Sequence, residues 1–188
     1  MYLSSIIPLL LPTFVSAIAV FILSSLVHMV IRWHQNDQAK LPNEDSVAAA
    51  LKGTPNGEYR MPWAANMEEM KSPAWIEKAK SWPHAVVGVT KFDLEKGFMR
   101  ALVLWFVYSL VVSFVSGHIA HAALHEGGPH TALIFHTVGL SAFLGYGMAL
   151  AQQSIWGPKP WWATAKGMID SVFYAAATAG VFVWLWPK

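Results

Sequence analysis

The sequence predicts an all-α membrane protein with four transmembrane helices, and three observations support this fold class. Hydrophobic residues make up 55% of the 188 positions and charged residues only 13%, about half of the roughly 25% that is usual in soluble domains. The mean hydropathy is +0.39. Four apolar stretches are each long enough to cross a hydrocarbon core, which takes about 20 residues. We therefore expect one membrane domain over residues 1–188, embedded in a lipid bilayer.

The first predicted helix covers residues 3–31 and contains no charged residue. It has no basic start, and its apolar run exceeds the 7–15 residues that are typical of a signal peptide, so we expect it to remain uncleaved. Three further helices are predicted over residues 101–124, 131–152 and 165–186. Small residues at four-residue steps mark contact faces on these helices, because close backbone approach drives helix association in lipid.

Residues 32–100, between the first two spanning helices, form a polar segment in which we expect short helices lying on the membrane face. Asn43 followed by two acidic residues is a helix-start pattern, and Ser72 followed by Pro73 is another. The β-branched run over residues 85–89 is typical of a strand, although no partner strand is evident from the sequence.

The distribution of basic residues predicts the orientation. Ten of the 13 Lys and Arg residues lie within residues 32–100, and none lies in the loop over residues 125–130. Because Lys and Arg concentrate in cytoplasmic loops, we expect residues 32–100 to be cytoplasmic and both termini to be periplasmic, in a bacterial inner membrane.

Five of the eight histidines fall between positions 118 and 136. On an ideal helix His118, His121 and His125 lie within about 60° of one another. If the second and third helices form an antiparallel hairpin, His136 returns to the depth of His118. This pattern predicts a cluster of imidazoles at the outer membrane face.

This outer histidine cluster, His118, His121, His125 and His136, has several chemical interpretations. Imidazoles bind copper, zinc, iron or nickel ions, and two histidines on facing helices can ligate a haem. Proton transfer is a third hypothesis, because histidine titrates near neutral pH. Alternatively, these residues are interfacial polar groups that bind water or nearby hydroxyls.

Asp170 lies inside the fourth predicted helix, where a carboxylate is costly in lipid. Lys166 precedes it by one helical turn, so we expect the two side chains to form an ion pair. A contact between Asp170 and His28 near the end of the first helix is the alternative, and it would make a polar network across the bundle.

Short motifs along the chain resemble a family of small uncharacterised bacterial inner-membrane proteins. They are SSLVHMV at residues 24–30, LPNED at 41–45, GEYRMP at 57–62, WGPKPWW at 156–162, and Asp170 in the last helix. The resemblance implies four spanning helices with a long cytoplasmic stretch after the first. It implies no activity, and the outer histidine cluster is not part of the pattern.

Composition also excludes several classes of function. The absence of cysteine removes disulfides, iron–sulfur clusters, thiolate zinc sites and cysteine nucleophiles, and a net charge of +2 does not indicate nucleic-acid binding. We therefore expect a non-enzymatic membrane protein that forms a homo-oligomer or serves as an accessory subunit of a larger membrane complex. A metal- or haem-binding redox protein is the alternative hypothesis, and an oligomeric transporter or channel is the third.

Overall fold

The computed structural model describes residues 7–91, 93–124 and 130–187. Within them, four helical segments are long and apolar enough to cross a membrane, namely Ile7–Ile31, Glu95–Ala123, Thr131–Ile155 and Trp161–Trp184. The predicted fold class is thus confirmed: the chain is an all-α, multi-pass membrane protein, with one small two-stranded antiparallel sheet among the described residues. The second helix begins at Leu94 rather than at the predicted residue 101. The mixed polar and apolar residues that precede the apolar run continue the same helix.

The spanning segments are not all uniform α-helices. The first consists of a 3-10 turn Ile7–Leu9, helix α1 Leu10–Ser25 and a π-helical turn Leu26–Ile31. The second is the single helix α5 Leu94–Ala123. The third is interrupted: helix α6 Thr131–Tyr146 leads through a 3-10 turn Met148–Leu150 into helix α7 Ala151–Ile155. The fourth is helix α8 Trp161–Trp184.

Small residues let the spanning helices approach one another within the chain. A Cβ atom built on Gly117 of α5 would lie 2.3 Å from the ring of Phe182 on α8. A Cβ on Gly145 of α6 would lie 2.9 Å from Val112 of α5. Ser109 is fully buried on α5. The small-residue faces predicted from the sequence are therefore occupied largely by contacts inside the bundle.

Residues Ala39–Asp93 form a compact unit of their own, and Met1–Gln38 with Leu94–Lys188 form the other. That residues 1–188 act as one membrane domain stays a prediction. The elements of the smaller unit, in chain order, are α2 Glu44–Leu51, β1 Gly57–Met61, α3 Met67–Met70, α4 Pro73–Ser81 and β2 Ala85–Val89.

The strand predicted over residues 85–89 has a partner after all. Strands β1 and β2 pair antiparallel, with Tyr59 opposite Val87. All five side chains of β1 are exposed, so the strand carries no apolar alternation by which the sequence could have revealed it. The Ser72 hydroxyl accepts a hydrogen bond from the Trp75 amide, as the helix-start pattern predicts, whereas Asn43 makes no side-chain capping bond.

Candidate functional site

A cleft of about 670 Å³ lies where α1 ends and α8 begins. All four spanning segments contribute to its wall, so the cleft belongs to the membrane unit rather than to one helix. The side chains considered below that line it are Ser24, His28, His34, Asp37, Trp105, Tyr146, Asp170 and Tyr174.

The local backbone after α1 brings two polar residues back to the bundle. The helix loosens into the π-helical turn Leu26–Ile31, a feature that is frequent at functional sites. Arg32 then adopts a left-handed conformation with φ of +54°, which stops the helix. The amide of Asp37 donates to the His34 carbonyl at 3.0 Å and closes a tight turn. His34 and Asp37 consequently face α8 instead of continuing away from it.

His34 lies between two carboxylates. Its Nε2 is 2.6 Å from Oδ2 of Asp170, and its Nδ1 is 2.6 Å from Oδ2 of Asp37. An ionised carboxylate can only accept, whereas an imidazolium donates from both nitrogens. One imidazole ring therefore contacts a carboxylate at each of its two nitrogens. The Asp170 carboxylate, with only 4% of the residue exposed, has this ring as its polar partner.

Lys166 completes the charge balance through a different carboxylate from the one predicted. Its Nζ donates to Oδ1 of Asp37 at 2.9 Å and to the Trp33 carbonyl at 2.7 Å. The same ammonium lies 4.8 Å from the centre of the Trp162 ring. Lys166 and Asp170 share a face of α8, but the turn after Arg32 supplies closer partners to each. The two residues are thus linked through Asp37 and His34 rather than paired directly.

The charge of Asp37 follows from this arrangement. Burial alone would raise its pKa, but the hydrogen bonds from His34 and Lys166, together with their positive charges, outweigh burial and lower the pKa of Asp37 below the ordinary 3.8. Asp37 is therefore ionised at neutral pH.

His28 packs flat against His34, with ring centroids 4.7 Å apart and planes 9° from parallel. Its Nδ1 lies 3.0 Å from the Ser24 carbonyl oxygen. A carbonyl oxygen only accepts, so Nδ1 carries the proton and Nε2 keeps a lone pair. Ligand atoms of His28, His34 and Asp170 all lie within 4.8 Å of one another. The turn has placed two imidazoles, six residues apart in the sequence, beside a carboxylate that is far from both.

Three aromatic rings form the inner wall of the cleft. Trp105, Tyr146 and Tyr174 lie with ring centroids 5.8 to 6.0 Å apart. The Trp105 indole donates to the Ser24 hydroxyl at 2.9 Å and so joins α5 to α1. The Tyr146 hydroxyl points to the Ser109 carbonyl at 3.4 Å. The buried Tyr174 hydroxyl has no hydrogen-bond partner among the described residues.

Among the described residues, His118, His121 and His136 do not form a group of three potential metal ligands. His118 stacks on Phe114 within α5, and His121 lies against Trp186. His136 is exposed on α6, and His125 lies outside the described residues. Within the described part of the chain, the one group of three potential ligands is His28, His34 and Asp170. Metal or haem binding by the outer histidine cluster stays a prediction.

The sequence indicates Asp170 as a site residue and offers its contact with His28 as one alternative. It does not indicate that His34 and Asp37 contact each other and that His34 contacts Asp170. Both lie in a polar segment with no motif, and only the left-handed turn at Arg32 brings them to α8. The sequence contains one weak indication of this site, namely a histidine and an aspartate three residues apart just beyond a spanning helix.

Kinship with the family that shares the LPNED-type motif stays a prediction. No protein-family model, no curated protein and no solved structure matches this chain.

Proposed function

We propose that this integral membrane protein binds a divalent first-row transition-metal ion with His28, His34 and Asp170. One observation carries the proposal: both histidines have Nδ1 anchored to an acceptor, His28 to the Ser24 carbonyl and His34 to Asp37. Histidines that bind metals through Nε2 usually donate their other N–H to a carboxylate or a backbone carbonyl, which fixes the tautomer and the ring orientation.

The donor set suits several ions of this class. Two imidazole nitrogens and one carboxylate oxygen are the protein ligands of catalytic zinc sites and of non-haem iron sites, and they leave further coordination positions open. Asp170 supplies a negative charge that the low exposure of the residue, 4%, keeps from solvent screening. The zero cysteine count excludes thiolate ligands.

Binding would exchange a proton for the metal ion. The Nε2 lone pair of His34 would bind the ion, so any proton on that nitrogen would leave to solvent, while the Nδ1–H bond to Asp37 persists. Acid should weaken metal binding, because protons compete for the same nitrogen.

The site needs only a small adjustment to bind an ion. Ligand atoms about 2.1 Å from a tetrahedral metal are about 3.4 Å from one another. Nε2 of His34 and Oδ2 of Asp170 are already closer to each other than this, at 2.6 Å. His28 lies in the π-helical turn and is exposed, so its ring can move toward the pair.

The test is metal stoichiometry and affinity in purified, chelator-treated protein in mild detergent. We expect one equivalent of Zn²⁺ or Co²⁺ per chain, and at least a tenfold lower affinity in His28→Gln, His34→Gln and Asp170→Asn. His118→Gln and His136→Gln are the matched controls at the opposite membrane face, and they should bind normally. Loss of binding in the controls alone would assign the metal to the outer histidine cluster.

His28→Gln separates a binding role from a folding role. Its side chain is exposed, so the variant should keep the thermal stability of the metal-free protein while losing metal affinity. Absence of stoichiometric binding in the wild-type protein would overturn the proposal.

We infer further that the protein lies in a bacterial inner membrane with residues 32–100 in the cytoplasm and both termini in the periplasm. The concentration of Lys and Arg in those residues supports this orientation. The metal site would then face the cytoplasm. Because the chain has no cysteine, single substitutions at Thr54 and Thr131 can be labelled with a membrane-impermeant maleimide. In spheroplasts only the Thr131→Cys protein should react, and the reverse pattern would invert the orientation.

Assembly into a homo-oligomer or a larger membrane complex also stays a prediction. The buried small residues are used within the chain, and on α8 the small residues Ala176 and Gly180 remain exposed. The mass of the particle in mild detergent distinguishes a single chain from either assembly.

A further inference from the structure

The cleft beside the metal ligands is divided into a polar and an apolar part. Its volume of about 670 Å³ falls within the roughly 300–1,000 Å³ that is usual for small-molecule sites. His28, His34 and Asp170 form the polar part. Met29, Phe98 and Leu102 line the apolar part. A ligand that fits both parts has a polar head and a hydrocarbon portion.

Tyr174 indicates which polar group the head contains. Only 4% of this residue is exposed, and its hydroxyl has no partner among the described residues. It lies one helical turn beyond Asp170 on α8, so both side chains face the cleft. A buried hydroxyl without a partner is unfavourable, and an oxygen acceptor on a ligand would satisfy it.

The apolar part of the cleft leads toward the surrounding lipid. The hydrogen bond between Trp105 and Ser24 joins α5 to α1 at the wall of the cleft. Met29 and Phe98 line the cleft and are also 57% and 49% exposed. Large apolar side chains on the outside of a spanning bundle contact acyl chains. The hydrocarbon portion of a ligand can therefore pass between α1 and α5 into the bilayer.

Charge selects an anionic head. Lys159 lines the same cleft, and a bound divalent ion would add further positive charge. A carboxylate could then supply one oxygen to the metal ion and accept a hydrogen bond from the Tyr174 hydroxyl with the other.

We propose that the cleft binds a single-chain carboxylate amphiphile of the fatty-acid type, with its head between the metal and Tyr174 and its chain between α1 and α5. The metal contact rests on the proposed function, whereas the aromatic wall and the opening do not.

The first arm of the test measures occupancy of the cleft in the presence and absence of Co²⁺. The probe is 12-bromododecanoate, whose bromine quenches tryptophan on contact, and the signal from Trp105 is the difference between the wild-type and Trp105→Phe proteins. We expect saturable quenching. The half-saturating concentration should rise about tenfold in Tyr174→Phe, the loss expected for one hydrogen bond to a charged group. Leu102→Phe, which narrows the apolar part, should weaken binding of the bromododecanoate but not of acetate.

The second arm reads coordination from the visible absorption of the Co²⁺-loaded protein. Dodecanoate should shift the band at a concentration at least tenfold below that needed with acetate, and dodecanol should not shift it. Equal potency of acetate and dodecanoate would assign the site to a small soluble anion and overturn the proposal.

Failures of the two proposals are distinguishable. If Co²⁺ binds but quenching of Trp105 is not saturable, the amphiphile proposal is wrong and metal binding stands. If Co²⁺ does not bind but saturable, Tyr174-dependent quenching remains, the metal proposal is wrong and the amphiphile site stands without its metal contact. Normal quenching in Tyr174→Phe and Leu102→Phe would overturn the placement of the ligand.

Discussion

His34 and Asp170 are 136 residues apart in the chain, yet Nε2 of the histidine lies 2.6 Å from a carboxylate oxygen of the aspartate. This contact joins the segment after the first spanning helix to the fourth helix. It also gives a buried carboxylate, which would be costly in a membrane by itself, a hydrogen-bonding partner. The same ring contacts Asp37 through its other nitrogen. His34 is thus both the polar partner of the buried Asp170 and a candidate metal ligand.

Asp37→Asn should weaken metal binding about 10- to 100-fold, the usual effect of removing a partner that orients a ligating histidine. The amide keeps the size of the side chain but loses the charge that holds the Nδ1–H of His34. Isothermal titration with Zn²⁺ measures the change. Asp45→Asn, at an exposed position of α2, is the control and should bind like the wild-type protein. Equal affinities in the two variants would show that Asp37 does not orient the site.

Lys166→Met should destabilise the folded protein by about 1–3 kcal/mol, because it leaves Oδ1 of Asp37 and the Trp33 carbonyl without the Lys166 donor. Thermal unfolding in detergent, followed by circular dichroism, measures the loss. Lys52→Met removes an exposed lysine from the smaller unit, and it should change stability by less than about 0.5 kcal/mol. A melting temperature of Lys166→Met equal to that of the control would contradict the assigned network.

Hydropathy predicts the four spanning helices well because lipid imposes both length and apolar composition on any segment that crosses it. The same signal says little about where the polar residues at the helix ends go. Residues 118–136 contain a conspicuous concentration of histidines, yet the group of three potential ligands found in the described part of the chain lies at the opposite end of the bundle. His34 lies in that group because one residue, Arg32, adopts a left-handed conformation. The residue type at position 32 does not predict that conformation. Strand β1 is hidden for a similar reason, since its exposed side chains follow no apolar pattern.

Arg32 should tolerate glycine but not a β-branched residue. Its φ of +54° suits glycine, whereas a left-handed conformation costs other residues about 1–2 kcal/mol. Arg32→Gly should therefore fold at least as stably as the wild-type protein and bind Zn²⁺ normally, while Arg32→Val should lose about 1 kcal/mol of stability and part of its metal affinity. Chemical denaturation and Zn²⁺ titration test both. Arg60→Val, at an exposed strand position, is the control for replacing arginine by valine, and an effect there as large as at Arg32 would refute the backbone explanation.

Gly117 and Gly180 should respond to alanine in opposite directions. A Cβ at Gly117 would lie 2.3 Å from the ring of Phe182, which is itself fully buried and cannot move aside, so Gly117→Ala should cost about 1–3 kcal/mol. A Cβ at Gly180 meets no atom within 4 Å, and alanine favours a helix over glycine by up to about 1 kcal/mol. Gly180→Ala should therefore leave the melting temperature unchanged or raise it. Thermal unfolding of the two variants under identical detergent conditions gives the comparison. If Gly117→Ala were as stable as Gly180→Ala, the close contact between α5 and α8 at Phe182 would not exist in the folded protein.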